Sequence, residues 1–153
     1  MSRIDYFLHA PELITKMRNI TQGLEQFTID AKLRALVETR VSQVNGCVYC
    51  VDLHINESRK LGELQQRLDS LPVWKESPFF DVREKAALAW AESLTNIAQT
   101  HAPDTEFNEI KQHFTELEIV ELSISISLAN FWNRIAGGFR RMPKLANIKS
   151  TTS

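Results

Sequence analysis

An all-α fold is predicted for this chain, and three observations carry the prediction. Apolar residues recur at helical spacing almost everywhere, strand-like alternation is scarce, and the five prolines and five glycines are scattered rather than clustered. At 153 residues, 43% of them hydrophobic, the chain is long enough to bury one substantial core. The expected architecture is a single-domain helical bundle of about six to eight helices over 1–145, followed by a flexible tail over 146–153. No internal repeat or low-complexity segment interrupts it.

Each element has a local reason. Pro11 suits the first turn of a helix running to about Gly23, with Leu13, Ile14, Met17, Ile20 and Leu24 as its apolar stripe. Asp30 is a plausible N-cap for a second helix that carries Leu33, Leu36, Val37, Val41 and Val44 on one side. Asn45-Gly46 marks a turn, because glycine tolerates the backbone angles a turn needs. Helical spacing then resumes from Cys47 to about Leu61, where Gly62 stops it. Leu64 to Phe80 reads as a short helix and a loop whose Trp74, Phe79 and Phe80 pack back onto the body.

Asp81-Val82-Arg83-Glu84 matches a capping box and starts an Ala-rich helix to about Thr100, and Pro103 begins another to Phe114. A second capping box, Thr115-Glu116-Leu117-Glu118, opens a helix ending near Gly137-Gly138. Its middle, Leu122 to Trp132, is apolar around much of its circumference. That pattern places it at the centre of the bundle or between subunits.

Charge excludes several function classes. Eighteen basic against nineteen acidic residues give a net charge of −1, and there is no run of Lys or Arg. Neither nucleic acid nor an anionic membrane is an expected partner. The N-terminus lacks the apolar stretch of a signal peptide, and no segment supplies the roughly 18 apolar residues of a membrane span. The chain reads as soluble and cytoplasmic. Its two cysteines fall within one four-residue unit, too few for a secreted disulfide scaffold, so their value is chemical rather than architectural.

That unit, Cys47-Val48-Tyr49-Cys50 followed by Val51-Asp52-Leu53-His54, is the one dense chemical constellation in the sequence. On a helix Cys47 neighbours Cys50, and Cys50 neighbours His54. Two effects favour a thiolate here and nominate different atoms. The helix N-terminus favours Cys47, by about 1 kcal/mol. An imidazole able to take the proton favours Cys50, and a well-placed base outweighs the dipole. Cys50 is therefore the expected attacking thiolate and Cys47 the resolving thiol. Peroxide oxidation of Cys50 to a sulfenic acid, followed by condensation with Cys47, gives a disulfide.

Arg40 through His54 resembles the core of the alkylhydroperoxidase D and carboxymuconolactone decarboxylase family. Looser similarity extends to Tyr6–Pro11, Trp74–Pro78, Arg83–Ala89 and Phe131–Arg134. The resemblance implies an all-helical homo-oligomer that reduces an organic hydroperoxide or hydrogen peroxide and is recycled by an external dithiol. No cofactor and no metal ion is expected. In the family's pattern the sulfenic-acid-forming cysteine matches Cys50, its partner Cys47 and the relay histidine His54. Two places depart from it: Ala35 stands where a glutamate is usual in the preceding helix, and Tyr49 where a second histidine is usual. Glu38, one turn beyond Ala35, could reach the same site if its helix is suitably rotated, or is a solvated mid-helix charge.

Other readings stand beside this one. The cysteines could be two buried apolar side chains, or with His54 three zinc ligands, although no second cysteine pair exists and His9, His101 and His113 are distant in sequence. The loss of the carboxylate at Ala35 motivates a thiol–disulfide exchange or redox-sensing protein with weak peroxidase turnover. Lactone decarboxylation is disfavoured, since those relatives do not use a cysteine pair. Tyr49 reads as structural and Asp52 as exposed. Trp90, Phe131 and Trp132 are pocket or core residues, and Asn133-Arg134 marks a subunit contact or the pocket mouth.

Overall fold

The computed structural model describes residues 2–145; the tail expected over 146–153 lies outside them. Among the described residues there are nine α-helices, two 3-10 turns and no strand. The count exceeds the expected number because of two single-turn helices. In α1 (Tyr6–His9) the Asp5 carboxylate accepts hydrogen bonds from the amides of Phe7 and Leu8. α2 (Pro11–Gln22) begins on Pro11, whose missing amide proton costs nothing at a helix start, and ends in a 3-10 turn over Gly23–Gln26.

α3 (Ala31–Asn45) is capped by Asp30, whose carboxylate accepts from the Leu33 amide at 2.8 Å. α4 (Val48–Lys60) follows after two residues, and Gly62 beyond it takes a left-handed φ of 83°. α5 (Gln65–Ser70) and a 3-10 turn over Leu71–Val73 lead into α6 (Val82–Thr95), which opens with the Asp81–Glu84 capping box. The helix expected to reach Thr100 breaks at Asn96, whose side chain donates to the Glu92 carbonyl, and resumes for one turn as α7 (Ile97–Thr100). α8 (Asp104–His113) and α9 (Glu116–Gly138) complete the fold, the latter from the Thr115–Glu118 capping box.

α3 is the central element and packs against α4, α6 and α9. Leu36, Val37 and Val41 from α3 meet Ala87, Leu88 and Ala91 from α6, with Leu122 and Ile126 from α9. Two carboxylates, the half-buried Glu92 and the buried Glu121, join these layers. Glu92 accepts from Arg40 Nε at 2.8 Å and Trp74 Nε1 at 2.7 Å. Glu121 accepts from the backbone amides of Thr28 and Ile29, both at 3.0 Å, which fixes the approach to α3. Among the described residues no helix is long and apolar enough to cross a membrane.

Two apolar expectations are corrected and a third is met in part. In α2 only Ile14 and Leu24 of the predicted stripe are buried, while Leu13 and Ile20 are exposed. The helix packs mainly on α1 and its own 3-10 turn rather than on the central layers, so only one edge of its apolar face finds a partner. Phe79 is exposed, in contrast to Trp74 and Phe80. α9 turns Leu122, Ile126 and Ala129 inward but leaves Val120 and Ile124 exposed, so its apolar middle is only in part a core element.

Gly46 holds a left-handed φ of 66°, with open space where a Cβ would point, whereas Gly137 lies in the last turn of α9 and is equally uncrowded. Urea unfolding should therefore show opposite signs. Gly46→Ala loses about 1 kcal/mol through backbone strain, and Gly137→Ala gains about 0.5 kcal/mol through helix propensity. Equal effects at the two positions would refute this backbone account.

Candidate active site

The turn between α3 and α4 positions both cysteines. The amides of Gly46 and Cys47 donate to the carbonyls of Gln43 (3.2 Å) and Ser42 (3.1 Å), the paired bonds of a Schellman motif. Cys47 thereby closes α3 and also caps α4, its Sγ accepting from the Cys50 amide at 3.4 Å. A side-chain amide network, partly buried, clamps this turn to α9. Asn45 Nδ2 donates to both Asn130 Oδ1 and Asn133 Oδ1 at 2.9 Å, and Asn133 Nδ2 donates to Ser42 Oγ at 3.0 Å.

The two sulfurs are bonded to each other, with a Cα–Cα separation of 5.3 Å. They pack with Ala136 and Tyr49 and are only 3% (Cys47) and 2% (Cys50) exposed. Cys50, but not Cys47, lines a cavity of about 740 Å³ that also receives His54, Glu38, Glu57, Tyr49 and Trp132. Cys50 faces this cavity rather than the outer surface.

Glu38 faces inward. Its Oε2 lies 3.5 Å from His54 Nδ1, Oε1 accepts from Ser125 Oγ at 2.6 Å, and Arg34 Nε stands 3.8 Å away. Burial pushes the Glu38 carboxyl above the usual carboxylate range, against the lowering influence of His54, Ser125 and Arg34. His54 Nδ1 is also 2.8 Å from Glu57 Oε2. Burial is the largest single influence on His54 and favours the neutral ring. The Glu57 hydrogen bond and the charges of Glu38 and Glu57 together overcome it, so the pKa of His54 is raised. The two carboxylates engage Nδ1 and leave Nε2 as the nitrogen able to exchange a proton.

Ligand atoms of Glu38, His54 and Glu57 all lie within 4.8 Å of one another, the nearest approach to a metal-ligand set among the described residues. The 2.8 Å bond between His54 and Glu57 already accounts for this closeness as proton sharing.

The fold thus brings Cys47, Cys50, His54 and Glu38 together. Trp132 joins the cavity wall, but Trp90 belongs to the core, donating to Ser123 Oγ at 2.9 Å, and Phe131 is half-buried away from the cavity. Asn133 is buried in the turn clamp, and Arg134 is exposed with a bond to the Asn130 carbonyl, so neither lies at the cavity mouth. Asp52 is exposed. Four contributors escaped the sequence reading. Glu57 was legible as the i+3 neighbour of His54. Asn45 was legible only as a turn residue, and Ser125 and Arg141, the latter in the cavity lining, carried no local signal.

The carboxymuconolactone decarboxylase family model matches residues 11–93, which include both cysteines, His54 and Glu38. YdfG, an uncharacterized protein of Bacillus subtilis, is 37% identical over 134 residues, covering 88% of this chain and 91% of its own. A solved structure of a protein of unknown function from Agrobacterium tumefaciens, placed provisionally with the antioxidant defence protein AhpD, superposes with a TM-score of 0.93. It is 36% identical and covers 95% of this chain and 100% of that one. An uncharacterized peroxidase-related protein from Ralstonia eutropha with an alkylhydroperoxidase AhpD core has a TM-score of 0.80 at 18% identity. It covers 90% of this chain and 74% of that one, a likeness of fold alone. With the fold, the paired cysteines and near full-length relatives in agreement, the chain belongs to the carboxymuconolactone decarboxylase family and has its alkylhydroperoxidase D-like helical core.

Proposed function

We propose that the protein is a thiol-dependent peroxidase in which Cys50 attacks, Cys47 resolves and His54 moves the proton. The observation that carries this reading is that Cys50, bonded to Cys47, shares one cavity wall with a histidine held by two carboxylates. In the reduced protein the Cys50 thiolate attacks the terminal oxygen of a hydroperoxide. An S–O bond forms, the O–O bond breaks, and a proton from His54 goes to the leaving alkoxide. The Cys47 thiolate then displaces hydroxide from the Cys50 sulfenic acid, the hydroxide leaving as water once protonated. An external dithiol small or slender enough to enter the cavity restores the pair.

Glu38 supplies the carboxylate that Ala35 lacks. With it in place, the alternative of a redox sensor with weak turnover loses its motive, and burial of both sulfurs disfavours exchange with folded protein disulfides. The apolar side chains left exposed on α2 and α9 support assembly into a homo-oligomer.

Stopped-flow oxidation of the reduced protein by cumene hydroperoxide tests the roles. Cys50→Ser should lose at least about 100-fold in rate, whereas Cys47→Ser should react once and accumulate a sulfenic acid that dimedone traps. A Cys50→Ser protein reacting at the wild-type rate would sink the proposal.

The raised pKa of His54 gives a second test. Its imidazole should titrate above about 6.5 by NMR in the wild type, and the midpoint should fall in Glu57→Gln and in Glu38→Gln. The protonated form, the proton donor in the first step, then persists to higher pH than in a free imidazole. The peroxidase rate should accordingly decline as pH rises through the measured midpoint, and the decline should move to lower pH in Glu57→Gln. A rate profile insensitive to Glu57→Gln would remove His54 from the proton path.

A further inference from the structure

We infer that Arg141 is an anion-recognition residue and that the cavity accepts an amphipathic organic hydroperoxide carrying a carboxylate. Arg141 follows the end of α9, where Arg140 adopts a left-handed φ of 52° although it is not glycine. The amides of Arg140 and Arg141 donate to the carbonyls of Gly137 (3.0 Å) and Ala136 (2.8 Å), turning the chain back over the cysteine pair, which packs on Ala136. The Arg141 guanidinium, which lines the cavity, then lies 4.5 Å from the ring centroids of both Phe7 and Tyr49 and 5.6 Å from that of Tyr6.

Among the described residues this cation is paired with no carboxylate; its polar partner is Tyr6 Oη at 3.2 Å. The rings flank the guanidinium, and with Tyr6 Oη its one hydrogen-bond partner among the described residues, N–H donors remain for a carboxylate, which the planar fork of an arginine binds in two parallel hydrogen bonds. Arg34, another cation on the wall, is already committed to the Leu24 carbonyl and to Glu38. Arg18 and Lys60 are exposed, so water competes at both.

The rest of the cavity suits a hydrocarbon chain. Cys50, Leu53, His54, Glu57 and Leu61 recur at helical spacing along one face of α4 and its end, and all line the cavity. That face extends about 16 Å from Cys50, enough for a medium-length alkyl chain. Leu24, Leu128, Ala129 and Trp132 add apolar wall to the same cavity. A volume of about 740 Å³ lies within the range of small-molecule sites. A carboxylate on Arg141 with its chain along α4 therefore brings the ligand past Cys50.

Only the identity of the reacting group rests on the peroxidase reading; binding of the carboxylate does not, and two measurements keep the questions apart. Calorimetric titration with octanoate, octanol and octylamine reads the site without any redox chemistry. Octanoate should bind at least about tenfold more tightly than either analogue, and Arg141→Gln should erase the difference. Arg141→Lys, which keeps the charge but not the planar fork, should retain part of the preference and guards against a folding defect in the glutamine variant. Equal binding of octanol, tighter binding of octylamine, or a preference for octanoate that survives Arg141→Gln would overturn the assignment.

Oxidation of reduced wild-type protein by a fatty-acid hydroperoxide and by its methyl ester then reads the substrate class. The acid should be favoured by about tenfold, and equal rates with a normal cumene hydroperoxide reaction would overturn the carboxylate preference while leaving the peroxidase standing. No reaction with cumene hydroperoxide would instead refute the peroxidase.

Discussion

The double duty of Cys47 is the constraint on which the site depends. One residue closes the end of α3 by donating its amide and begins α4 through its side chain, so the two helices are joined with almost no slack. Such a junction needs one left-handed residue, and Gly46 supplies it without a Cβ penalty. It also needs restraint from outside, because a tight turn at the end of two long helices would otherwise fray. Asn45, Asn133 and Ser42 provide this restraint by tying the turn to α9 with side-chain bonds, the Asn133–Ser42 bond being buried. The sulfurs inherit their placement from these backbone and amide contacts.

Once the junction is fixed, the α3–α4 crossing determines the electrostatics. Thr39 and Ser58 are small, fully buried polar residues that let the two helices approach closely, their hydroxyl oxygens 3.4 Å apart. Close approach sets Glu38 of α3 against His54 of α4, and α9 contributes Ser125 from the other side. Burial makes charge on either group costly, and the Glu38–His54–Glu57 arrangement offsets that cost by sharing one imidazole between two carboxylates. Burial alone would favour the neutral imidazole; the two carboxylates together overcome it and raise the pKa of His54.

Position on the periphery explains the remaining features. α1, α2 and the segment after α9 lie outside the central layers and wall the cavity rather than filling the core. Arg141 belongs to such a segment: among the described residues its guanidinium lies against aromatic rings rather than beside a carboxylate, and it lines the cavity. Trp132, bonded through Nε1 to Thr21 Oγ1 at 2.8 Å, ties α2 to α9 and closes the same wall.

The sequence by itself determined the elements and the chemistry held within one of them. Capping residues at Asp30, Asp81 and Thr115 marked helix starts, because caps are local hydrogen bonds between near neighbours in the chain. The spacing of Cys47, Cys50 and His54 likewise required only helix geometry. Tertiary structure decided which faces meet. Periodicity places Leu13, Ile20 and Ile14 on related faces of α2 but does not say that only Ile14 finds a partner. Whether Glu38 was a solvated charge or the partner of His54 turned on the rotation of α3 against α4 and α9, a property of packing rather than of either helix. Arg141 is distant from the cysteines in sequence and came to their cavity only because α9 ends beside them. Contacts of that kind are set by long-range packing, which no local pattern encodes.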